Sequence, residues 1–152
     1  MIEMLFHFLE TLFIGLIIGG GVIMAACVRP FLLQVLSGGG NRELVSTVEG
    51  ISIKAWNRYN RYAFFSSLLL LLLDLIRYFA GLGNPLWHMG ILGIIVLAFL
   101  RKFQIDRQLS VRLQEKPLAA AGSAEQNAGH RQVERLSKII LFLAVIAVVL
   151  PK

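Results

Sequence analysis

Five ionisable side chains lie within or beside the apolar runs of this sequence: His7, Glu10, Asp74, Arg77 and His88. A charge in such a run is costly and by default marks pairing or function. Imidazole ligates metals and haem through a neutral ring nitrogen, and carboxylates orient such rings by accepting the second N–H. His7 and His88 are therefore candidate ligands of haem or copper, with Glu10 and Asp74 as the groups that would orient them. Met4 and Met89 are soft thioethers suited to copper(I). A cation or proton site would use the same residues. The competing reading is structural. His7 and Glu10 are spaced i, i+3, as are Asp74 and Arg77, so each pair can close within its own helix while Arg77 snorkels outward.

The elements that must hold these residues follow from the apolar runs. Of 152 residues, 57% are apolar and 16% charged, against about 25% charged in soluble domains. A soluble fold this small exposes too much of its chain to hide that much apolar surface. Disordered chains are poor in apolar residues. Both classes are excluded. A span needs roughly 20 apolar residues to cross a hydrocarbon core of about 30 Å. The pattern predicts four, at about 4–28, 62–82, 86–100 and 136–150. The third continues as helix past the membrane through Arg112, and the fourth begins with Lys138 snorkelling to the headgroups. The expected fold is all-α: a single membrane domain, 1–152, built as an integral four-helix bundle.

Basic residues set the orientation. Arg29, Arg42, Lys54, Arg58 and Arg61 lie between spans one and two. Arg101, Lys102, Arg107, Arg112, Lys116, Arg131, Arg135 and Lys138 lie between spans three and four. These are thirteen of the fifteen basic residues, so both long loops are expected in the cytoplasm and both termini outside. The same distribution accounts for the net charge of +6 without nucleic acid and points to the cell inner (plasma) membrane, with anionic headgroups against the basic loops. The first span is expected to stay uncleaved. Met24-Ala25-Ala26-Cys27 loosely resembles a lipoprotein cleavage site, but Glu3 and Glu10 stand where a signal peptide is basic, and Arg29 follows directly. With this topology Asp74 lies roughly 12 Å and Arg77 roughly 7 Å below the outer face at Leu82, from the helical rise. His7, Glu10, Asp74, Arg77 and His88 then share one leaflet depth.

The connecting segments are read as follows. Gly38-Gly39-Gly40-Asn41 is a flexible break. Residues 42–58 form an additional cytoplasmic amphipathic helix with Leu44, Val48, Ile51 and Ala55 on one face. It either lies on anionic lipid, with Trp56 and Tyr59 at headgroup level, or packs on the bundle. The Ala/Gly/Ser-rich stretch 117–129 reads as a flexible linker, with His130 solvated at its end. Gly15 and Gly19, extended by Gly20 and Gly21, and Gly90 with Gly93 are small residues that let helices approach closely. The single Cys27 excludes an internal disulfide and reads as a small apolar residue.

No nucleophile elbow, phosphate loop, His-Glu-x-x-His or Cys-x-x-Cys is present. The sequence favours a non-enzymatic role in packing or partner contact, through the basic loops and the glycine face of span one. The alternatives are a haem or copper binder in the outer leaflet and a small transporter, which would need a homo-oligomer to enclose a path.

Gly19-Gly20, then nine residues, then Pro30-Phe31 resembles the opening of the domain-of-unknown-function family 4149, related to transmembrane protein 205. Arg101 through Arg112 and His130-Arg131 through Ser137 are similar to that family's third and fourth spans. The family often has Trp before the paired glycines, where Ile17 and Ile18 stand here. The resemblance implies a compact four-helix membrane bundle and no established reaction. More widely, Phe6-His7 and Trp87-His88 resemble the first and third spans of copper-resistance D type proteins and of the haem-binding oxidases of porphyrin synthesis. Those oxidases carry a lysine after the tryptophan where this chain has Met89-Gly90. That likeness implies metal or haem binding through His7 and His88 without the oxidase activity.

Overall fold

The computed structural model describes residues 2–37, 42–120 and 123–149, and among them every regular element is helical. In chain order these are α1 (Ile2–Ile23), a π-helical turn (Met24–Val28), α2 (Arg29–Ser37), α3 (Arg42–Phe79), α4 (Leu86–Glu115), the short α5 (Pro117–Ala120) and α6 (Ala124–Val149). Three stretches, Glu3–Phe31, Glu43–Phe79 and Leu86–Glu115, are long and apolar enough to cross a membrane. In α6 the apolar run begins only after Glu134, Arg135 and Lys138, so its uncharged part is shorter.

Local chemistry explains the breaks. Pro30 has no N–H to give, and its ring collides with the carbonyl of the preceding turn in a regular helix. The chain passes it through the wide π turn, in which the Arg29 N–H bonds Met24 O. At the other end of the bundle, α3 stops at Phe79 and reverses through Gly81, whose φ of +67° favours glycine, before Pro85 leads into α4.

Buried positions recur in alternating steps of four and three. On α4 His88, Leu92, Ile95, Phe99, Lys102, Asp106 and Leu109 follow this pattern, with Ile105 buried beside them. On α3, Glu49, Ile53, Asn60, Ala63, Ser67, Leu70 and Asp74 keep the same rhythm, with half-buried Trp56 filling the gap. Glu10, Ile14 and Ile17 do so on α1. A repeat of about 3.5 residues is the spacing of a left-handed supercoiled bundle. The antiparallel register of α3 and α4 is read from two side-chain pairs, Asp74 with His88 and Asn60 with Lys102. The two pairs lie fourteen residues apart on each helix, about 21 Å along the axis at about 1.5 Å per residue. Between them sits the apolar core of Ile14, Ile17, Ala63, Leu70, Leu92, Ile95, Phe99, Ile140 and Ala144. A second, smaller core of Ile53, Ile105 and Leu109 lies beyond the Lys102 layer.

The outside of the bundle is also apolar. Leu12 and Leu16, Leu69 and Leu72, Ile94 and Leu97, and Phe142 and Val145 are exposed on α1, α3, α4 and α6. Apolar surface on every outward face, with charge inside, is the reverse of a soluble domain and fits a chain solvated by lipid.

Three expectations are corrected. Residues 42–58 are not an additional amphipathic helix but the first half of the unbroken α3, and they pack on the bundle. Their buried face carries Glu49 and Ile53 and is continued by Asn60, while Leu44 and Ile51 are exposed. The polar residues are inward because α4 and α6 supply partners for them. The linker read over 117–129 is helical at Pro117–Ala120 and again from Ala124, since Gln126 and Gly129 pack on Leu109. The glycines divide as well. A Cβ on Gly15, Gly19, Gly90 or Gly93 would meet nothing within 4 Å among the described residues, so no close approach of another helix there requires glycine. On Gly20 a Cβ would meet the Tyr59 ring at 2.6 Å, and on Gly21 the Tyr59 hydroxyl at 2.9 Å. The break at Gly38–Asn41 lies outside the described residues.

Tyr59 donates a hydrogen bond to Ile17 O at 2.7 Å, so its ring cannot easily swing away. Gly20→Ala should therefore lower stability in detergent by about 1–2 kcal/mol, collision outweighing the gain in helix propensity. Gly15→Ala should leave stability equal or raise it by up to about 1 kcal/mol. Melting the two variants side by side checks the assignment.

Candidate functional site

The register of the helices creates two buried polar layers, one at each end of the apolar core. In the outer layer, His88 Nδ1 lies 2.5 Å from Asp74 Oδ2 and its Nε2 lies 3.8 Å from Glu10 Oε1. Glu10 Oε2 accepts from Arg77 Nη1 at 3.1 Å, and the Arg77 guanidinium stands 5.3 Å over the Phe6 ring. Glu10, Asp74 and His88 are essentially fully buried. Four of the five residues expected at one depth are thus gathered from α1, α3 and α4. The pairing differs from the intrahelical one: Asp74 pairs with His88 and Arg77 with Glu10, each across a helix boundary. The reason is direction. Asp74 and Glu10 occupy seam positions pointing into the bundle, where the neighbouring helices offer partners closer than the next turn does.

His7 is left out. It is exposed and lines an open groove of about 860 Å³ with Met4, Phe6, Thr11 and Arg77. Met4 is 74% exposed and Met89 half-buried. His88 is enclosed between two carboxylates, and no group of three or more His, Cys, Asp or Glu suited to a metal occurs among the described residues. The structure does not gather His7, His88, Met4 and Met89 into one pocket: Met4 and His7 line the open groove, and the buried His88 is not among its walls. What the outer layer does is tie three helices together by charge.

The inner layer was not read from the sequence. Lys102, fully buried on α4, donates to Asn60 Oδ1 and to Ser137 Oγ, both at 2.7 Å, and lies 5.0 Å over the Trp56 ring. Asn60 also donates to Asp106 Oδ2 at 3.1 Å. Lys102 takes part in none of the ion pairs among the described residues. One heptad further in, His130 Nε2 meets Glu49 Oε1 at 2.8 Å, so the histidine expected in a solvated loop is a helical residue bound to α3. Glu134 on α6 joins Arg29 at 2.5 Å and Lys138 at 2.9 Å. The hydrogen bond from Arg29, then that from Lys138, holds the Glu134 carboxyl down at about 2. These residues wall a cavity of about 650 Å³ that opens beside Arg29, Arg131 and Lys138. The signal that would have found the inner layer is positional. Lys102 and Asp106 continue the heptad of Leu92, Ile95 and Phe99, which places their charges in the core.

Comparison with protein-family models, with curated proteins and with solved structures gave no match.

Asp74→Ala would leave the His88 ring buried without its acceptor and should cost about 3 kcal/mol, as breaking a buried pair does. Asp74→Asn should lose less because its amide oxygen still accepts. His7→Ala, at an exposed position, should stay within about 0.5 kcal/mol. Thermal melts in detergent distinguish the three. For Glu134 the folded value lies below the ordinary 4.5, so its contribution is present above about pH 4.5 and fades as pH falls towards 2. Because the pair is partly exposed, Glu134→Gln should cost no more than about 1 kcal/mol at neutral pH. Its melting curve and that of the wild type should converge as the medium is acidified to that range.

Proposed function

We propose that the chain is a four-span protein of the cell inner membrane, with both termini outside and a non-enzymatic role exercised from its cytoplasmic end. The observation that carries this reading is the concentration of basic residues at one end of the bundle. Thirteen of the fifteen lie on the Lys102 side of the apolar core, among them Arg29, Arg61, Arg101, Arg131 and Lys138. Cationic ends stay on the cytoplasmic side of a membrane. The fourth span is supported by α6, whose exposed Ile139, Phe142, Val145 and Val148 follow directly after its charged first half. That apolar face matches the outward faces of α1, α3 and α4. Exposed Tyr62 at the inner end and Trp87 at the outer end suit the two headgroup regions.

A non-enzymatic role is supported by the chemistry of the clusters. Glu10, Asp74 and His88 of the outer layer are directed at each other and at Arg77, and of these four only Arg77 also lines the open groove. The likeness to the domain-of-unknown-function family 4149 belongs to the same proposal. It rests on Gly19-Gly20 and Pro30-Phe31, and Gly20 is the glycine that admits Tyr59.

Topology can be tested with single thiols in a Cys27→Ala background. Asn84→Cys, in the exposed turn between α3 and α4, should react with a membrane-impermeant maleimide in intact cells. Ser123→Cys, before α6, should react only after lysis. The inverse pattern overturns the orientation, and labelling of both from outside overturns the span count.

A further inference from the structure

The inner cavity joins an apolar wall to buried charge, and packing does not explain that combination. Ile53, Phe99, Ile140 and Leu141 line it together with Lys102 and Arg131. Three carboxylates also face it, but each is engaged: Glu49 with His130, Glu134 with Arg29 and Lys138, and Asp106 with Asn60. Of the lysines and arginines that line the cavity, two take part in no ion pair among the described residues, the buried Lys102 ammonium and the exposed Arg131 guanidinium. Removing an ammonium from water costs several kcal/mol unless an anion answers it. Asn60, Ser137 and the Trp56 face are neutral, and the Asp106 carboxylate acts on the ammonium only from beyond Asn60, without an ion pair, so the charge is answered in part. The volume, about 650 Å³, lies within the range of small-molecule sites.

We propose that this cavity binds an anionic phospholipid of the inner leaflet, its phosphate ester taken by Lys102 and Arg131 and its apolar part held against Ile53, Ile140 and Leu141. A phosphate adds a direct ion pair where Lys102 has only the carboxylate of Asp106, held one side chain away by Asn60. A bare phosphate would leave the apolar wall uncovered, and an apolar molecule would leave the ammonium unanswered. The cavity adjoins the Lys102 layer, where the apolar core ends, which is the depth of lipid headgroups once the bundle spans a membrane. The proposal rests on the membrane reading. Failure of that reading would show separately, as a full-length chain that remains monomeric without detergent.

Trp56 lies against Lys102 and reports on the site. In a Trp87→Phe background it is the only tryptophan. The full-length protein in a neutral detergent is titrated with dioctanoyl phosphatidylglycerol, dioctanoyl phosphatidylcholine and sodium phosphate, following Trp56 emission. The expected result is a saturable response to phosphatidylglycerol, with half-saturation raised about tenfold or more in Lys102→Met. Arg131→Ala, at the exposed mouth, should raise it several-fold while melting as the parent does. This variant keeps the test decisive if Lys102→Met fails to fold. Equal responses to phosphatidylglycerol and phosphatidylcholine, or an Arg131→Ala response identical to the parent, overturn the proposal. Saturation by sodium phosphate at the same concentrations as the lipid would also overturn it, assigning the site to a soluble phosphate.

Discussion

Lipid offers a buried charge no partner, so every ionised group in the apolar part of this chain has to be answered by another helix. That constraint shapes the bundle more than any single apolar contact. Asp74, His88, Glu10 and Arg77 answer one another across three helices at the outer end. Lys102, Asn60, Ser137 and Asp106 form a second such network at the inner end. Between them the core carries no charge over about 21 Å, by the helical rise between the two layers, and its buried Ser67 bonds back to Ala63 O of its own helix.

The two layers also fix alignment. Apolar seams built from leucine and isoleucine match almost equally well after a slide of one heptad, because their residues are interchangeable in size and carry no direction. Polar pairs are not interchangeable. A one-heptad slip of α3 against α4 would separate Asp74 from His88 and Asn60 from Lys102 together, breaking both buried pairs at once. Since both pairs obey a single antiparallel register, each reinforces the other, in the way a buried polar residue sets register in a coiled coil.

The ends differ in what they leave open. At the outer end the charges are spent on each other, and the nearby groove is lined by exposed residues such as Met4 and His7. At the inner end the helices run on past the apolar core into a charged extension, where a cavity remains beside an ammonium that has no ion pair among the described residues. The architecture thus separates a closed, tying layer from one that adjoins an open cavity.

The sequence by itself determined the helical class and the apolar runs long enough to cross a membrane. Mean composition and run length are local quantities, and so is the clustering of arginine and lysine between runs. It also placed Glu10, Asp74, Arg77 and His88 at one depth, because depth depends only on topology and rise per residue. Partnership was beyond its reach. Spacing of i, i+3 made Asp74–Arg77 and His7–Glu10 the nearest pairs, but nearest along a helix is not nearest in space once seam positions point inward. Lys102 looked like one more cytoplasmic cation, and Gly15 looked like a packing glycine. Only the supercoil turned Lys102 into the core and Gly15 out of it, while bringing Gly20 against Tyr59. Which face of a helix is buried depends on the helices around it, and that information is spread over four segments whose relative rotation no single segment encodes.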